Sequence, residues 1–370
     1  MAKRRLSTKS TGTTTKTTRP LDQFAKSDDQ VQFLRAANER LSRQLSESKV
    51  KTGELAEAVY RAASDAASAL NLAPSPATIV STRKTGTGSH PASADETALV
   101  VVSDVQLAKI TASYSSEVAA DRMRLYAEKV AGLTAIQRSD HPVKTARVYL
   151  LGDIVEGELI FPHQPYAIDA SLYRQVMVDG PKILTEFLRS LLTLFESVHV
   201  VGVIGNHGAM FGPVRRAVNP ATNADRMLYR FLAELLANEP RITFHIPDRE
   251  RERDWYAVDY PVGPDHGILL FHGDQIRGGG FGGFPFYGLA KRIWGWRSGA
   301  IPEPFKYAIF GHWHTPTRVT LNEITAWCNG STESDNTYAQ EELAACGKPT
   351  QLLLFAHPKI GITAEYWVHL

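Results

Sequence analysis

The chain has 370 residues, 43% of them apolar and 22% charged, with a formal net charge of +2. That composition describes a globular chain with enough core for one large domain or two ordinary ones, and the near-neutral balance excludes binding of polyanions by overall charge, so any basic surface must be local. Two cysteines, Cys328 and Cys346, exclude a disulfide framework and a Cys-rich zinc module, and no apolar run approaches the roughly 18 residues that span a bilayer.

Residues 1–26 are rich in Ser, Thr, Lys and Arg and cannot bury enough surface to offset the entropy of ordering, so a disordered basic tail is expected. Lys3, Arg4, Arg5, Lys9, Lys16, Arg19 and Lys26 face Asp22 there, which makes the tail either a solvated extension or an electrostatic tether to nucleic acid. No apolar segment follows the basic start, so no secretory signal is read and a reducing, cytoplasmic setting is expected.

Residues 27–70 read as one long helix with Ser27 or Asp28 at its start. Val31, Leu34, Leu41, Leu45, Leu55 and Val59 share one heptad frame, interrupted by Asn38, Ser48 and Thr52. A narrow apolar stripe on a polar helix suits a coiled coil with a second copy, or docking on a protein partner, more than a core position. Residues 71–96 hold Pro74, Pro76 and Pro91 among Ser, Thr and Gly and read as a linker, so the folded domain is expected over 97–370.

From Ala98 onward strands and helices alternate. Expected strands are Ala98–Ser103, Arg147–Leu151 and Val198–Ile204, with helices at Glu117–Arg138, Leu172–Leu194 and Met227–Leu236. The pattern then turns to β, at Trp255–Val258, Ile268–Phe271, Tyr307–Phe310, Val319–Leu321, Ile324–Cys328, Leu352–Phe355 and Thr363–Val368. Alternation first and strands later predicts an α/β fold with a layered α/β/β/α sandwich.

Five short motifs follow these strands: Ser103–Gln106 (SDVQ), Gly152–Gly157 (GDIVEG), Gly205–Gly208 (GNHG), His272–Asp274 (HGD) and Gly311–His314 (GHWH). Each carries Asp, Asn, Gln or His to the C-terminal end of a strand, which is where open α/β sheets bind ligands and where the backbone is rigid enough for a metal site. Singly each is a turn; together and in this order they predict a metal centre.

The motif order resembles the calcineurin-like metallophosphoesterases, over roughly Ala98–Leu370, and within them the SbcD-type DNA repair nucleases and phosphoesterases of phages. The resemblance implies a four-layer α/β/β/α sandwich with two divalent metal ions at one edge. It implies Asp104, Gln106 and His314 on the first metal, Asn206, His272 and His312 on the second, and Asp153 bridging both, with His207 as the catalytic acid at the phosphate. A carboxylate suits the bridging role because its two anionic oxygens can hold two cations, and water between such ions ionises near neutral pH.

Two residues depart from the family pattern. Gln106 stands where a His is usual, and a neutral oxygen donor there favours Mn²⁺ or Mg²⁺ over Zn²⁺. Gly208 stands where an acid is usual, which leaves Glu156 or Asp274 to orient His207. The segment Ile276–Gly299 mixes Gly with aromatic and basic residues, and Arg277, Phe284, Arg292, Trp294, Trp296 and Arg297 are candidate substrate contacts for a nucleic-acid strand. The alternative for that segment is a lid plus an amphipathic helix whose aromatics fill the core. Arg215 and Arg216, extended by Arg226 and Arg230, form a second basic stretch, His163 is close enough in sequence to GDIVEG to reach the site, and His199 lies in an apolar strand. A phosphodiesterase acting on DNA is the leading expectation. A phosphomonoesterase and a non-catalytic scaffold built on the long helix are the alternatives.

Overall fold

A computed structural model describes residues 95–370 except 162, 211–221, 248–254, 279–282, 337–340 and 342–346, together with residues 72–75 and scattered helical positions between 32 and 65. The chain divides into two units, Met1–Leu55 and Ala56–Leu370. In the first, described positions such as Gln32, Glu39 and Arg43 are helical and exposed, and Arg43 meets Glu39 one turn away at 3.8 Å. The basic tail, the apolar heptad positions from Val31 to Val59, Arg215, Arg216 and Cys346 lie outside the described residues.

The second unit begins its sheet at β1 (Glu96–Val102), whose seven residues are all buried. β1 pairs in parallel with β2 (Val143–Leu150), and β2 in parallel with β3 (Ser197–Gly202). Helix α1 (Ser116–Gln137) and helix α2 (Gly180–Leu194) make the two crossovers. Ser115 starts α1 by accepting from the Val118 N–H. A third helix, α3 (Ala224–Leu235), leads to β4 (Ile242–His245), parallel to β3. On the other side the chain's end adds β10 (Thr350–His357) and β11 (Gly361–His369), both antiparallel, for a six-stranded order β11-β10-β1-β2-β3-β4.

The second sheet has five strands, β5 (Tyr256–Asp259), β6 (Ile268–Phe271), β7 (Tyr307–Phe310), β8 (Thr317–Leu321) and β9 (Ile324–Cys328), in the order β5-β6-β7-β9-β8. Helix α4 (Phe286–Gly295) lies between β6 and β7 in sequence.

Alternation along the strands assigns the layers. Ala98, Val100 and Val102 of β1 join Met123, Tyr126, Leu184, Phe187, Leu188 and Leu228 in a core under the helices. Leu99 and Val101, one residue out of step, join Tyr149, Leu151, Ile268, Leu270, Ile309 and Trp327 between the sheets. A third core packs Phe284, Leu289, Ile293 and Trp296 against Phe271, Phe305 and Phe310 on the outer face of the second sheet. Each such side chain contributes roughly 1.5–3 kcal/mol by leaving water, and the three cores together give the layers α/β/β/α that the pattern predicts.

Two features depart from the sequence reading, and a third follows its alternative. β4 was not expected, because four residues at a sheet edge, of which only Ile242 is buried, carry little periodic signal. The segment after HGD builds α4 and a π-turn at Trp296–Ala300, in line with the amphipathic-helix alternative for that segment. Part of the linker is anchored: Leu72 packs on Phe231 and Leu235, the Ser75 N–H donates to Glu239 Oε2 at 2.7 Å, and Arg189 and Arg241 donate to the carbonyls of Ala73 and Ser75. Among the described residues no helix is long and apolar enough to cross a membrane.

Candidate metal centre

Strands β1, β2 and β3 run parallel, as do β6, β7 and β9, so the C-terminal ends of the two sets meet at one edge of the sandwich. The five motifs leave those ends. Asp104, Gln106, Asp153, His312 and His314 all have positive φ, between 46° and 71°. Such backbone is uncommon for residues other than glycine and persists only where the surroundings over-determine it. Glycines beside them permit the close approach: a Cβ on Gly205 would collide with Asp153 Oδ1, and one on Gly311 with Asp104 Oδ2.

One half of the centre is built from Asp153, Asn206, His272 and His312. The facing ligand atoms of Asp153, His272 and His312 lie within 4.8 Å of one another. His272 Nε2 is 2.9 Å from Asp153 Oδ2 and 3.0 Å from Asn206 Oδ1. The His272 Nδ1–H donates to the Leu151 carbonyl at 2.7 Å, which turns Nε2 into the centre. His312 stands edge-on to His272 with ring centroids 5.1 Å apart. A carboxylate oxygen, an amide oxygen and two imidazoles are a donor set that fits a divalent ion.

The other half holds Asp104, Gln106 and His314. His314 Nε2 lies 3.2 Å from Asp104 Oδ1 and 3.2 Å from Gln106 Nε2. His314 Nδ1–H donates to Glu333 Oε1 at 2.6 Å, again leaving Nε2 for the centre. The Gln106 carbonyl oxygen, however, accepts from Lys109 Nζ at 2.8 Å, and Lys109 also pairs with Glu333 Oε2 at 2.5 Å. The amide that was expected to bring an oxygen to a metal therefore turns its NH₂ to His314. This removes the argument that Gln106 selects the metal.

The electrostatics follow from crowding buried acids and imidazoles. Burial raises the Asp153 carboxyl, but His272 and His207 outweigh it and hold the group well below the usual carboxylate range. Burial lowers His272, and Asp153 overcomes this to bring it up to about 9. Burial likewise lowers His314, while Glu333 and Asp104 raise it to about 10. His312 is pulled down to about 4 by burial and by neighbouring His272, so it is a neutral imidazole in the metal-free protein.

His207 sits beside the Asp153 carboxylate. Its backbone N–H donates to Asp153 Oδ1 at 2.8 Å, and its Nδ1 contacts the Glu156 carbonyl at 2.9 Å and carboxylate at 3.3 Å. Glu156 thus does the orienting work that Gly208 cannot. A side chain at 208 has no room, because its Cβ would lie 2.5 Å from Asn223 Oδ1, which caps α3. Burial lowers His207, but Asp153 and Glu156 raise it to about 9. Phe161 covers its ring edge-on at 5.5 Å.

The candidate substrate contacts separate into two groups. Arg277, Arg292, Trp294 and Arg297 are exposed. Phe284 and Trp296 are corrected to core residues: Phe284 is 1% and Trp296 7% exposed, and they pack on Phe310 and Phe271, so neither offers a face to a base. Phe284 precedes α4 and Trp296 follows it, and both pack into the core on the outer face of the second sheet. Arg226 is buried and does not extend a basic surface. His163 is exposed at the turn before Gln164, and His199 is bonded to Thr243 Oγ1 at 2.7 Å.

Several supporting residues gave no motif. Asp225, fully buried, accepts backbone N–H groups from Asp153, Ile154, Val155 and Gly205. Asn329 and Ser331 brace the SDVQ turn through Ser103 Oγ and the Asp104 carbonyl. Gln175, in a π-turn at Gln175–Asp179, bonds both backbone groups of Gly157. The polar run Asn329–Glu333, leaving β9 as the motifs leave their strands, was the one legible signal among these.

Fold and site together have the four layers and the motif order of the calcineurin-like metallophosphoesterases. No protein-family profile matches the chain, and no curated protein matches it. Among solved structures it is similar to a predicted phosphoesterase from Streptococcus pneumoniae TIGR4, at 11% identity and a TM-score of 0.30 over 74% of this chain and 98% of that one. It is similar to an archaeal phosphodiesterase at 10% identity and a TM-score of 0.33, over 73% and 99%. It is also similar to Vps29 from Entamoeba histolytica complexed with Zn²⁺, at 14% identity and a TM-score of 0.31, over 73% and 98%.

Proposed function

We propose that the protein is a metal-dependent phosphodiesterase whose substrate is a nucleic-acid strand, DNA in the leading reading. The observation that carries the hydrolase reading is the convergence of Asp153, Asn206, His272 and His312 beside His207. A divalent ion there would be held by Asp153, Asn206, His272 and His312, and its chemistry is to acidify water and neutralise phosphate oxygens. The hard oxygens of Asp153 and Asn206 suit Mn²⁺, with Mg²⁺ as second choice.

The residues of the chain do the rest. Asp153 holds the centre's negative charge, and the imidazoles of His272 and His207 keep it ionised. His207, kept protonated by Asp153 and Glu156, is placed to donate to a phosphate oxygen or to the leaving group. Phe161 shields that proton from water on one side.

The nucleic-acid part rests on exposed aromatic and basic residues flanking the motifs: Arg277, Arg292, Trp294 and Arg297 after HGD, and Phe161, Tyr166 and Tyr173 after GDIVEG. The helix at 27–70 is the element offered to a second copy or a protein partner. The test is hydrolysis by the purified full chain with Mn²⁺ of labelled single- and double-stranded DNA, beside bis-p-nitrophenyl phosphate and p-nitrophenyl phosphate. Cleavage of DNA and of the diester, both abolished in Asp153→Asn, is the expected result. Turnover of the monoester alone would replace this reading with a phosphomonoesterase.

A further inference from the structure

The two halves of the centre are not equivalent, and the difference lies in Lys109. Its side chain is 17% exposed and its ammonium is fixed from two sides, by Glu333 Oε2 at 2.5 Å and Gln106 Oε1 at 2.8 Å. An ammonium can only donate. That settles which end of the Gln106 amide faces it: the carbonyl oxygen points to Lys109 and the NH₂ to the centre. The NH₂ in turn lies 3.2 Å from His314 Nε2, which is itself 3.2 Å from Asp104 Oδ1. Lys109, Gln106, His314 and Glu333 thus form a closed ring of contacts. Turning the Gln106 oxygen onto a metal would break it and set the NH₂ against the ammonium.

The other half has the His207 imidazole as its neighbour, with Nε2 4.0 Å from Asp153 Oδ2. There Asn206 Oδ1 and Asp153 Oδ2 both meet the Nε2 of His272, at 3.0 and 2.9 Å, and His272 is braced by a backbone carbonyl, while Asp153 Oδ1 accepts from the His207 N–H. An ion on the Asp104–His314 side would have one fewer oxygen ligand and a fixed positive charge bonded to its neighbour.

We propose that the protein holds one divalent ion tightly, on Asp153, Asn206, His272 and His312, and that the Lys109 ammonium, fixed through Gln106 and Glu333, supplies the positive charge on the Asp104–His314 side, so that a second ion binds there only weakly. The inference rests on the metal-centre reading above and changes its stoichiometry. Lys109 is a positioning residue for Gln106 and an electrostatic substitute for part of the second ion's charge.

The test uses Mn²⁺ alone with the full chain, read by equilibrium dialysis and by electron paramagnetic resonance. The wild type is expected to take up one Mn²⁺ at least ten-fold more tightly than a second, and to show the isolated-ion spectrum at one equivalent. Lys109→Met, which removes the charge and keeps the stem, should tighten the second ion at least ten-fold and bring in the exchange-coupled spectrum of an ion pair at two equivalents. Lys109→Arg, which keeps the charge, should leave the second ion weak. If Lys109→Met does not fold, the double variant Lys109→Met/Glu333→Gln removes both buried charges together and carries the same expectation. Two Mn²⁺ of equal affinity in the wild type, or a second site unchanged in folded Lys109→Met, overturns the inference. Absence of any Mn²⁺ binding by the wild type overturns the metal-centre reading itself.

Discussion

Asp225 is the residue on which the geometry of the centre most depends without being part of it. Its Oδ2 accepts from the N–H of Asp153 at 2.9 Å and of Gly205 at 3.0 Å, and its Oδ1 from Ile154 at 3.0 Å and Val155 at 3.3 Å. One carboxylate thus fixes the turn that carries Asp153 and the turn that carries Asn206. Asn at 225 keeps the shape but has one acceptor oxygen, so two buried N–H groups face an NH₂. Orphaned buried donors cost about 1–3 kcal/mol each, or roughly 2–6 kcal/mol for two. Burial and Asp153 raise the Asp225 carboxyl towards its neutral form, so removing the charge gives part of this back. A net loss of about 2–3 kcal/mol is expected for Asp225→Asn, a large share of the 5–15 kcal/mol that holds a domain together. Urea unfolding of the metal-free protein measures it as a lower midpoint at unchanged slope. Mn²⁺ dialysis should show a loss of ten-fold or more in affinity, because both ligand turns lose their anchor. An Asp225→Asn protein with the wild-type midpoint and wild-type Mn²⁺ affinity would refute the argument, since it would mean the carboxyl is held as a neutral group that Asn replaces without loss.

Four further outcomes are expected. His272 at about 9 and His314 at about 10 hold protons that a metal must displace, so Mn²⁺ affinity should rise from pH 6 to 9 with proton release, seen by calorimetry in buffers of different ionisation enthalpy; pH-independent affinity would contradict it. The same raised values stabilise the metal-free fold fully below the unfolded imidazole value of about 6.5 and less as pH climbs through 9 to 10, so its urea midpoint should be higher at pH 6 than at pH 9.5. Trp294→Ala should weaken DNA binding by about 1–3 kcal/mol while leaving the urea midpoint and diester hydrolysis intact, whereas Phe284→Ala should cost about 3–5 kcal/mol of stability, and equal effects from the two would show that exposure does not separate their roles. Gly208→Asp should lower stability rather than improve catalysis, because its Cβ meets the Asn223 cap at 2.5 Å; a more active, equally stable variant would show that this wall yields.

The layers and the place of the site were legible along the chain. The continuous apolar run from Ala98, the later shift to strands and the polar motif after each strand read correctly as structure because burial on both faces and polar residues at strand ends are local properties of sequence. The motifs named Asp104, Asp153, Asn206, His272, His312 and His314, and the fold brings them to one edge. What the sequence could not order was which side chains of a mixed segment face in. Phe284 and Trp296 look like Trp294 in a string of letters, and their contacts with Phe310 and Phe271, on either side of α4, separate them. Nor could it pair residues far apart: Asp225 with the turn at Asp153, Glu333 with His314, Glu156 with His207 across the room that Gly208 leaves. Gln106 itself was visible as a departure, but only the fold decides that its oxygen belongs to Lys109, because an amide has two ends and its neighbours choose between them.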